Sequence, residues 1–299
     1  EHSVVTAAVA TEAFAWGDLA TTLKIMAPNQ VAIPIMLCGT ETQKAELLPL
    51  FSAETPPPVA AALTEPTYQF DPRDLQTTVT SDGTNYRLNG KKIFVIGAAD
   101  AETLLVYAQQ TGATQAFLVS ASAEGVTIGE RDKLMGLQAL DTFSVSFDNV
   151  LLTPESKVGG EAGIDFTLIL NHSRVALGAA AVGVARAGLE YAVEYAKGRE
   201  QFGRKIAQNQ SIAFMLADMA SDVESARMLV WEAAWLLDQG QAATQACTVM
   251  KHFVDRIVVE VADRALQTLG GYGYIREYPV ELWLRNARAF ATFDGMAIV

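Results

Sequence analysis

Gln267-Thr268-Leu269-Gly270-Gly271-Tyr272-Gly273-Tyr274-Ile275-Arg276-Glu277-Tyr278-Pro279-Val280-Glu281 follows a run of residues with helical period and interrupts it with closely spaced glycines. Gly270-Gly271 ends a helix near Leu269, because glycine takes backbone conformations that other residues avoid. The same pair would let backbone N–H groups approach a phosphate or ribose, with Gln267 able to donate or accept at the edge. A plain helix C-cap is the competing explanation for the two glycines.

Upstream, the helical period holds from about Gly163. Met215, Met219, Val223, Ala226, Val230, Ala233 and Leu237 form one stripe, with Asp218, Asp222 and Glu232 off it. A helix from Arg174 to about Lys197 is dense in Ala and Gly, which permits close backbone approach. Further upstream the texture is that of strands: Thr103 to Ala108, Ala116 to Ser120, Gly125 to Gly129 and Phe143 to Leu152, with Asp82-Gly83 and Asn89-Gly90 as hairpin turns. The spacing is that of an antiparallel sandwich or barrel. Before Thr55-Pro56-Pro57-Pro58, Ala, Leu and Met recur at helical spacing, punctuated by Pro28 and Pro34, which predicts two or three helices. The fold class is therefore α+β: helices over residues 1–53, an antiparallel β domain over 54–160 and a helical bundle over 161–299.

Half of the 299 residues are apolar, enough for a sizeable core. The balance of 22 Lys plus Arg against 34 Asp plus Glu gives a formal charge of -12, which argues against a surface that tracks nucleic-acid phosphates. Cys38 and Cys247 lie far apart and build no disulfide framework, so a reducing compartment is expected: the cytoplasm, or the mitochondrial matrix in a eukaryote. The three histidines are scattered, and no metal site is expected. His172 reads as structural, since nothing pairs with it in sequence. The longest apolar stretches, such as Val175 to Ala185, are too short to cross a bilayer, and no transmembrane segment is expected.

Four ordered motifs carry a family resemblance: Ala62-Leu-Thr-Glu-Pro66, Phe147-Asp-Asn-Val150, Arg199-Glu-Gln-Phe-Gly-Arg-Lys-Ile206, and the glycine-rich segment followed by Arg285-Asn-Ala-Arg288. In these the chain resembles the acyl-CoA dehydrogenase family. The resemblance covers nearly all of the chain and implies that the family's first helices and last helix are missing from it. It implies a flavin adenine dinucleotide (FAD) bound between the β domain and the bundle, a homodimer or homotetramer with a site shared across subunits, an acyl-CoA substrate, and an electron-transfer flavoprotein as electron acceptor.

By position in those motifs, the resemblance places Leu63, Thr64, Phe94, Ile96, Arg199, Gln201, Phe202, Gln210, Gln267, Gly270, Gly271 and Met296 at the cofactor. It places Phe70, Ser173, Arg174 and Gly295 at the substrate. Arg199 could clamp a pyrophosphate with its planar fork of donors, or form a surface salt bridge on a helix. Phe202 could pack near the flavin or in the core.

The chain also departs from the pattern. Where a Gly-Ala-Gly-Ser-Asp loop is usual, it reads Thr67-Tyr-Gln-Phe-Asp71, so Phe70 stands where a serine is expected. Phe94-Val95-Ile96 replaces Trp-Ile-Thr, and Asp294-Gly295-Met296 replaces Glu-Gly-Thr. Three lost polar contacts of about 0.5–1.5 kcal/mol each could weaken flavin binding and need not abolish it. Asp294 is the candidate base that removes the α-proton of an acyl thioester, with Arg174 setting the charge around it. The alternative glutamate of some relatives falls on Ser173. Two competing functions stay open: a nitroalkane oxidase-like enzyme, in which an aspartate is the base, and a non-catalytic subunit that keeps the fold and loses the flavin.

Overall fold

The computed structural model describes residues 3–292, 294, 298 and 299. Four helices come first: α1 (Val4–Gly17), α2 (Leu19–Met26), α3 (Asn29–Cys38) and α4 (Glu41–Phe51). Side chains of Ser3 and Asp18 cap α1 and α2, and Thr40 with Gln43 forms a capping box on α4, each satisfying amides that a helix start leaves open. Pro34 does not separate helices, as its sequence position suggested, but lies inside α3; Pro28 occupies the N-cap instead, where its missing N–H costs nothing.

Seven strands follow: β1 (Val59–Ala62), β2 (Thr78–Asp82), β3 (Asn85–Ile96), β4 (Thr103–Gln110), β5 (Ala113–Ser120), β6 (Val126–Arg131) and β7 (Thr142–Leu152). They form one sheet in the order β1-β4-β2-β3-β7-β6, with β5 paired to β4. The sheet is mixed and not purely antiparallel as expected, because β1 and the start of β2 pair parallel to β4. Asp82-Gly83 does turn the β2–β3 hairpin, whereas Asn89-Gly90 lies inside β3 at a bulge. Gly90 is there for contact and not for a turn: its φ is 148°, and a Cβ would fall 2.5 Å from Thr77 Oγ1.

The chain then enters α5 (Phe166–Gly198), a short hairpin of β8 (Glu200–Gln201) and β9 (Arg204–Lys205), α6 (Gln210–Asp238), α7 (Thr244–Leu269) and α8 (Val280–Ala287). The anticipated stripe of α6 is the buried one, with Met219, Val223, Ala226, Val230 and Ala233 in the core and Met215 and Leu237 partly buried against it. The small residues of α5 allow the close packing expected of them. A Cβ on Gly178 would meet Met250 Sδ at 2.4 Å, and one on Gly183 the carbonyl of Glu12 at the same distance. At 33 residues α5 is longer than its sequence indicated and long and apolar enough to cross a membrane, but 89% of its most apolar window is buried inside the protein.

The leading helices divide between two cores. Val4, Ala8, Leu19 and Leu23 join the bundle, while Val31, Ile33 and Ile35 pack with Leu63, Leu105 and Tyr107 of the sheet and with Ile169 of α5. A clamp joins sheet and bundle at the far end: Leu137 N–H donates to Asn286 Oδ1 (2.7 Å) and Arg285 to the carbonyl of Met135. Gly136 between them is close enough to Arg285 that a Cβ would sit 2.3 Å from its carbonyl oxygen.

At the end of β1, Lys92 of β3 is fully buried and donates to Glu65 Oε1 (2.7 Å) and to the Leu63 carbonyl (3.0 Å). Glu65 also accepts from the backbone N–H groups of Gln76 and Thr77. Burial pushes its carboxyl up, but the Lys92 charge and hydrogen bond, with those from residues 76 and 77, hold it below the ordinary carboxylate range. Removing one partner strands a buried charge, so Lys92→Met should cost about 3–5 kcal/mol in urea unfolding, and Lys92→Met with Glu65→Gln clearly less. A carboxyl depressed in the folded chain contributes stability above the ordinary carboxylate range and loses it as pH falls through its own lower value. The double variant should therefore lose less stability than the parent over that acid window.

Candidate active site and cofactor groove

Arg174 of α5 and Asp294 meet between bundle and sheet. Arg174 Nη2 lies 3.4 Å from Asp294 Oδ2, and Nη1 donates to Thr248 Oγ1 (3.2 Å) on α7. Thr64, just past β1, donates its hydroxyl to the Asp294 carbonyl (3.2 Å). The Thr64 carbonyl in turn accepts from the Ile93 N–H (2.9 Å). Asp294 Oδ1, Arg174 Nε and Ser173 Oγ are all buried and have no hydrogen-bond partner among the described residues. Buried polar atoms are nearly always satisfied, so the open Asp294 Oδ1 with Arg174 Nε and Ser173 Oγ beside it makes this a candidate place for a polar ligand. Ser173 and Leu63 also line a cavity of about 20 Å³ with Gln30, Tyr107 and Phe166. His172 is structural as expected, its Nδ1 donating to the Val299 carbonyl (2.5 Å).

The second feature is a groove of about 530 Å³ where the β8–β9 hairpin, the start of α6 and the end of α7 converge. Six expected cofactor residues line it: Arg199, Gln201, Phe202, Gln267, Gly270 and Gly271. Arg199 makes no ion pair among the described residues; its guanidinium stacks 5.3 Å over the Tyr272 ring, leaving its donors to the groove. Gly270 has φ 60°, and a Cβ on either glycine would project into open space, so a ligand can reach that backbone. Phe202 is not core. It is fully exposed at the tip of the hairpin with φ 51°, and Gly203 follows at φ 76°. A bulky residue at positive φ is strained, and this one buries nothing within its own chain in return.

Sequence reasoning missed the aromatic wall of the groove. Tyr195 and Tyr272 both pack against Tyr278, and burial pushes the Tyr195 hydroxyl up. Tyr272 and Tyr278 stand within the quoted glycine-rich segment, but Tyr195 is far from it in sequence. It also missed the Lys251–Asp255 pair of α7.

Other expected residues lie elsewhere. Gln210 begins α6 and is exposed outside the groove lining. Phe70 is half-buried against the core shared by α3 and the sheet. Ile96 is buried and lines a different cavity, of about 190 Å³, with Lys24, Ala27, Leu140 and Asp141. Phe94 takes φ 56° in the β3 bulge and packs against the bundle core. Gly295 and Met296 lie outside the described residues. Among those residues no group of His, Cys, Asp and Glu could hold a metal ion.

Two family models match: the acyl-CoA dehydrogenase middle domain over residues 60–150 and the acyl-CoA dehydrogenase C-terminal domain over 165–297. The chain belongs to the acyl-CoA dehydrogenase family. It is 35% identical over 298 residues to the caffeyl-CoA reductase-Etf complex subunit CarC of Acetobacterium woodii, covering 96% of this chain and 78% of that one. Among solved structures it is similar to butyryl-CoA dehydrogenase of Megasphaera elsdenii, with TM-score 0.87, 32% identity, and 98% and 79% of the two chains covered. It is also similar to a glutaryl-CoA dehydrogenase of Mycobacterium smegmatis in complex with FADH2, with TM-score 0.88, 25% identity, and 98% and 76% covered.

The groove offers groups that suit a dinucleotide: an open guanidinium, two exposed glycine backbones and an uncovered aromatic ring. Arg199→Ala should weaken FAD retention roughly ten- to a hundredfold, measured by fluorescence titration of the apoprotein. Phe202→Gly relieves the strained φ, so the apoprotein should melt no lower than the parent while FAD dissociates faster. Equal FAD retention in both variants would remove these residues from the cofactor site.

Proposed function

We propose that this chain oxidises an acyl-CoA, or a similar acyl thioester, to its trans-2-enoyl product, with Asp294 taking the α-proton. The observation that carries the reading is the carboxylate itself, held by Arg174 through Oδ2 while the buried Oδ1 is left without a partner. FAD is the cofactor, and when bound it supplies the acceptor for the β-hydrogen as hydride.

The chain's own residues prepare the proton transfer. Thr64 fixes the backbone of Asp294, Thr248 fixes the guanidinium of Arg174, and Arg174 holds the carboxylate through Oδ2, which leaves Oδ1 for the ligand. Ser173, at the position of the alternative glutamate, cannot serve as a base at neutral pH. The open Ser173 Oγ and Arg174 Nε offer one acceptor or donor and one donor to the ligand.

The same groups run the reverse reaction by returning the proton from Asp294. Similarity to a caffeyl-CoA reductase subunit favours reduction of an enoyl thioester as the second reading. That relative's Etf complex supports an electron-transfer flavoprotein as redox partner here. The groove, open on one side with Phe202 uncovered, supports a homodimer or homotetramer in which a second subunit completes each cofactor site. Both cysteines are free, which supports a reducing compartment such as the cytoplasm or mitochondrial matrix.

Anaerobic titration of the FAD-loaded protein with butyryl-CoA should bleach the flavin, and Asp294→Asn should bind both yet bleach at least a hundredfold more slowly, since an amide cannot accept the proton. Asp294→Glu separates two designs: a site short of reach should speed up or hold its rate, and one spaced around aspartate should slow. Bleaching by Asp294→Asn at the parent rate would remove the proposed base. Reoxidation of the reduced protein by an enoyl-CoA, without bleaching by the saturated one, would select the reductase reading.

A further inference from the structure

Behind Asp294, α7 carries a charge pair that neither the family motifs nor the proposed chemistry accounts for. Lys251 Nζ donates to Asp255 Oδ2 (2.6 Å) and to the carbonyl of Phe290 (3.0 Å), with only 12% of its side chain exposed. Phe290 is buried in the bundle core in the turn after α8, four residues before Asp294. The segment bearing the candidate base is thus tied at two carbonyls, by Lys251 at Phe290 and by Thr64 at Asp294.

We propose that Lys251 is a positioning residue for Asp294: its ammonium anchors the chain at Phe290 and neutralises Asp255, so that Asp294 keeps Arg174 as its own partner and is held in place toward the ligand. The chemical part of this inference rests on Asp294 being the base; the anchoring part stands on the geometry alone.

The charges explain why a lysine stands there. Asp255 Oδ1 is buried with no hydrogen-bond partner among the described residues, and burial pushes this carboxyl up, Lys251 opposing the rise and the negative charge of Asp294 adding to it. Asp255 and Asp294 therefore repel, with Lys251 on one side and Arg174 on the other keeping the set balanced. Without Lys251 the Phe290 carbonyl loses this donor, and Asp255 loses the ion pair that opposes burial and the charge of Asp294. A shift of about 1 Å in a reacting group can cost a hundredfold in rate.

The test compares FAD-loaded parent, Lys251→Met and Lys251→Arg by two readouts. In hydrogen–deuterium exchange, peptides covering residues 286–294 should exchange faster in Lys251→Met and as in the parent in Lys251→Arg, which keeps both a charge and donors, while β5 peptides stay unchanged. In anaerobic bleaching with butyryl-CoA, Lys251→Met should lose roughly ten- to a hundredfold in rate at saturation with its half-saturating concentration held within about twofold, and Lys251→Arg should recover most of it. Should Lys251→Met not fold, Lys251→Gln combined with Asp255→Asn removes both charges at similar side-chain length and takes its place. Unchanged exchange over 286–294 overturns the anchoring, and an unchanged saturated rate overturns the positioning. A parent that no acyl-CoA bleaches refutes the reading of Asp294 as base, and the exchange arm still decides the anchor.

Discussion

A lysine buried completely inside a sheet can persist only if its charge is met, and the way Lys92 is met organises the site. Its ammonium donates to Glu65 and to the Leu63 carbonyl, which fixes the chain as it leaves β1. The residue between those two partners is Thr64. With its carbonyl taken by Ile93 N–H, Thr64 has its backbone held in the sheet while its hydroxyl donates to the backbone of Asp294. A chain of polar contacts therefore runs from the sheet interior to the candidate base and on through Arg174 into the bundle. Such a network is worth more than its separate pairs, because each member is held in the geometry that the next requires.

Rigidity on that side contrasts with openness on the other. The groove between the β8–β9 hairpin and the end of α7 contains a strained, fully exposed phenylalanine, an arginine with no carboxylate partner among the described residues, and glycines with space above them. Each would be a cost in an isolated chain. Folding of one copy does not account for them, and a dinucleotide shared with a second copy, as proposed above, would. The two features also divide the labour of the proposed site: the candidate binding determinants sit on loops and helix ends, and the candidate base sits on a backbone pinned from several elements.

Much of the architecture was legible because it rests on local signals. The stripe on α6, the small residues of α5 and the turn at Asp82-Gly83 are set by periodicity and by the conformations that each residue type allows. Where that reasoning failed, a tertiary contact outweighed the local signal. Asn89-Gly90 has the composition of a turn, yet Gly90 serves a close approach to Thr77. Pro34 has the composition of a break, yet it continues α3. The parallel pairing of β1 with β4 depends on a segment, Val59-Ala-Ala-Ala62, too poor in β-branched residues to announce a strand.

The sequence by itself determined the order of helices, sheet and bundle, and, through the Arg199 and Gly270-Gly271 motifs, most of the residues that line the groove. Those motifs are short and contiguous, so spacing along the chain is enough to recognise them. Only the tertiary structure decided that Phe202 is exposed and strained, that Lys92 is buried against Glu65, and that Lys251 reaches the segment carrying Asp294. These facts join residues tens of positions apart, and a charged side chain reads the same in sequence whether it faces water or is buried. What distinguishes the two is the set of partners that the fold brings to it.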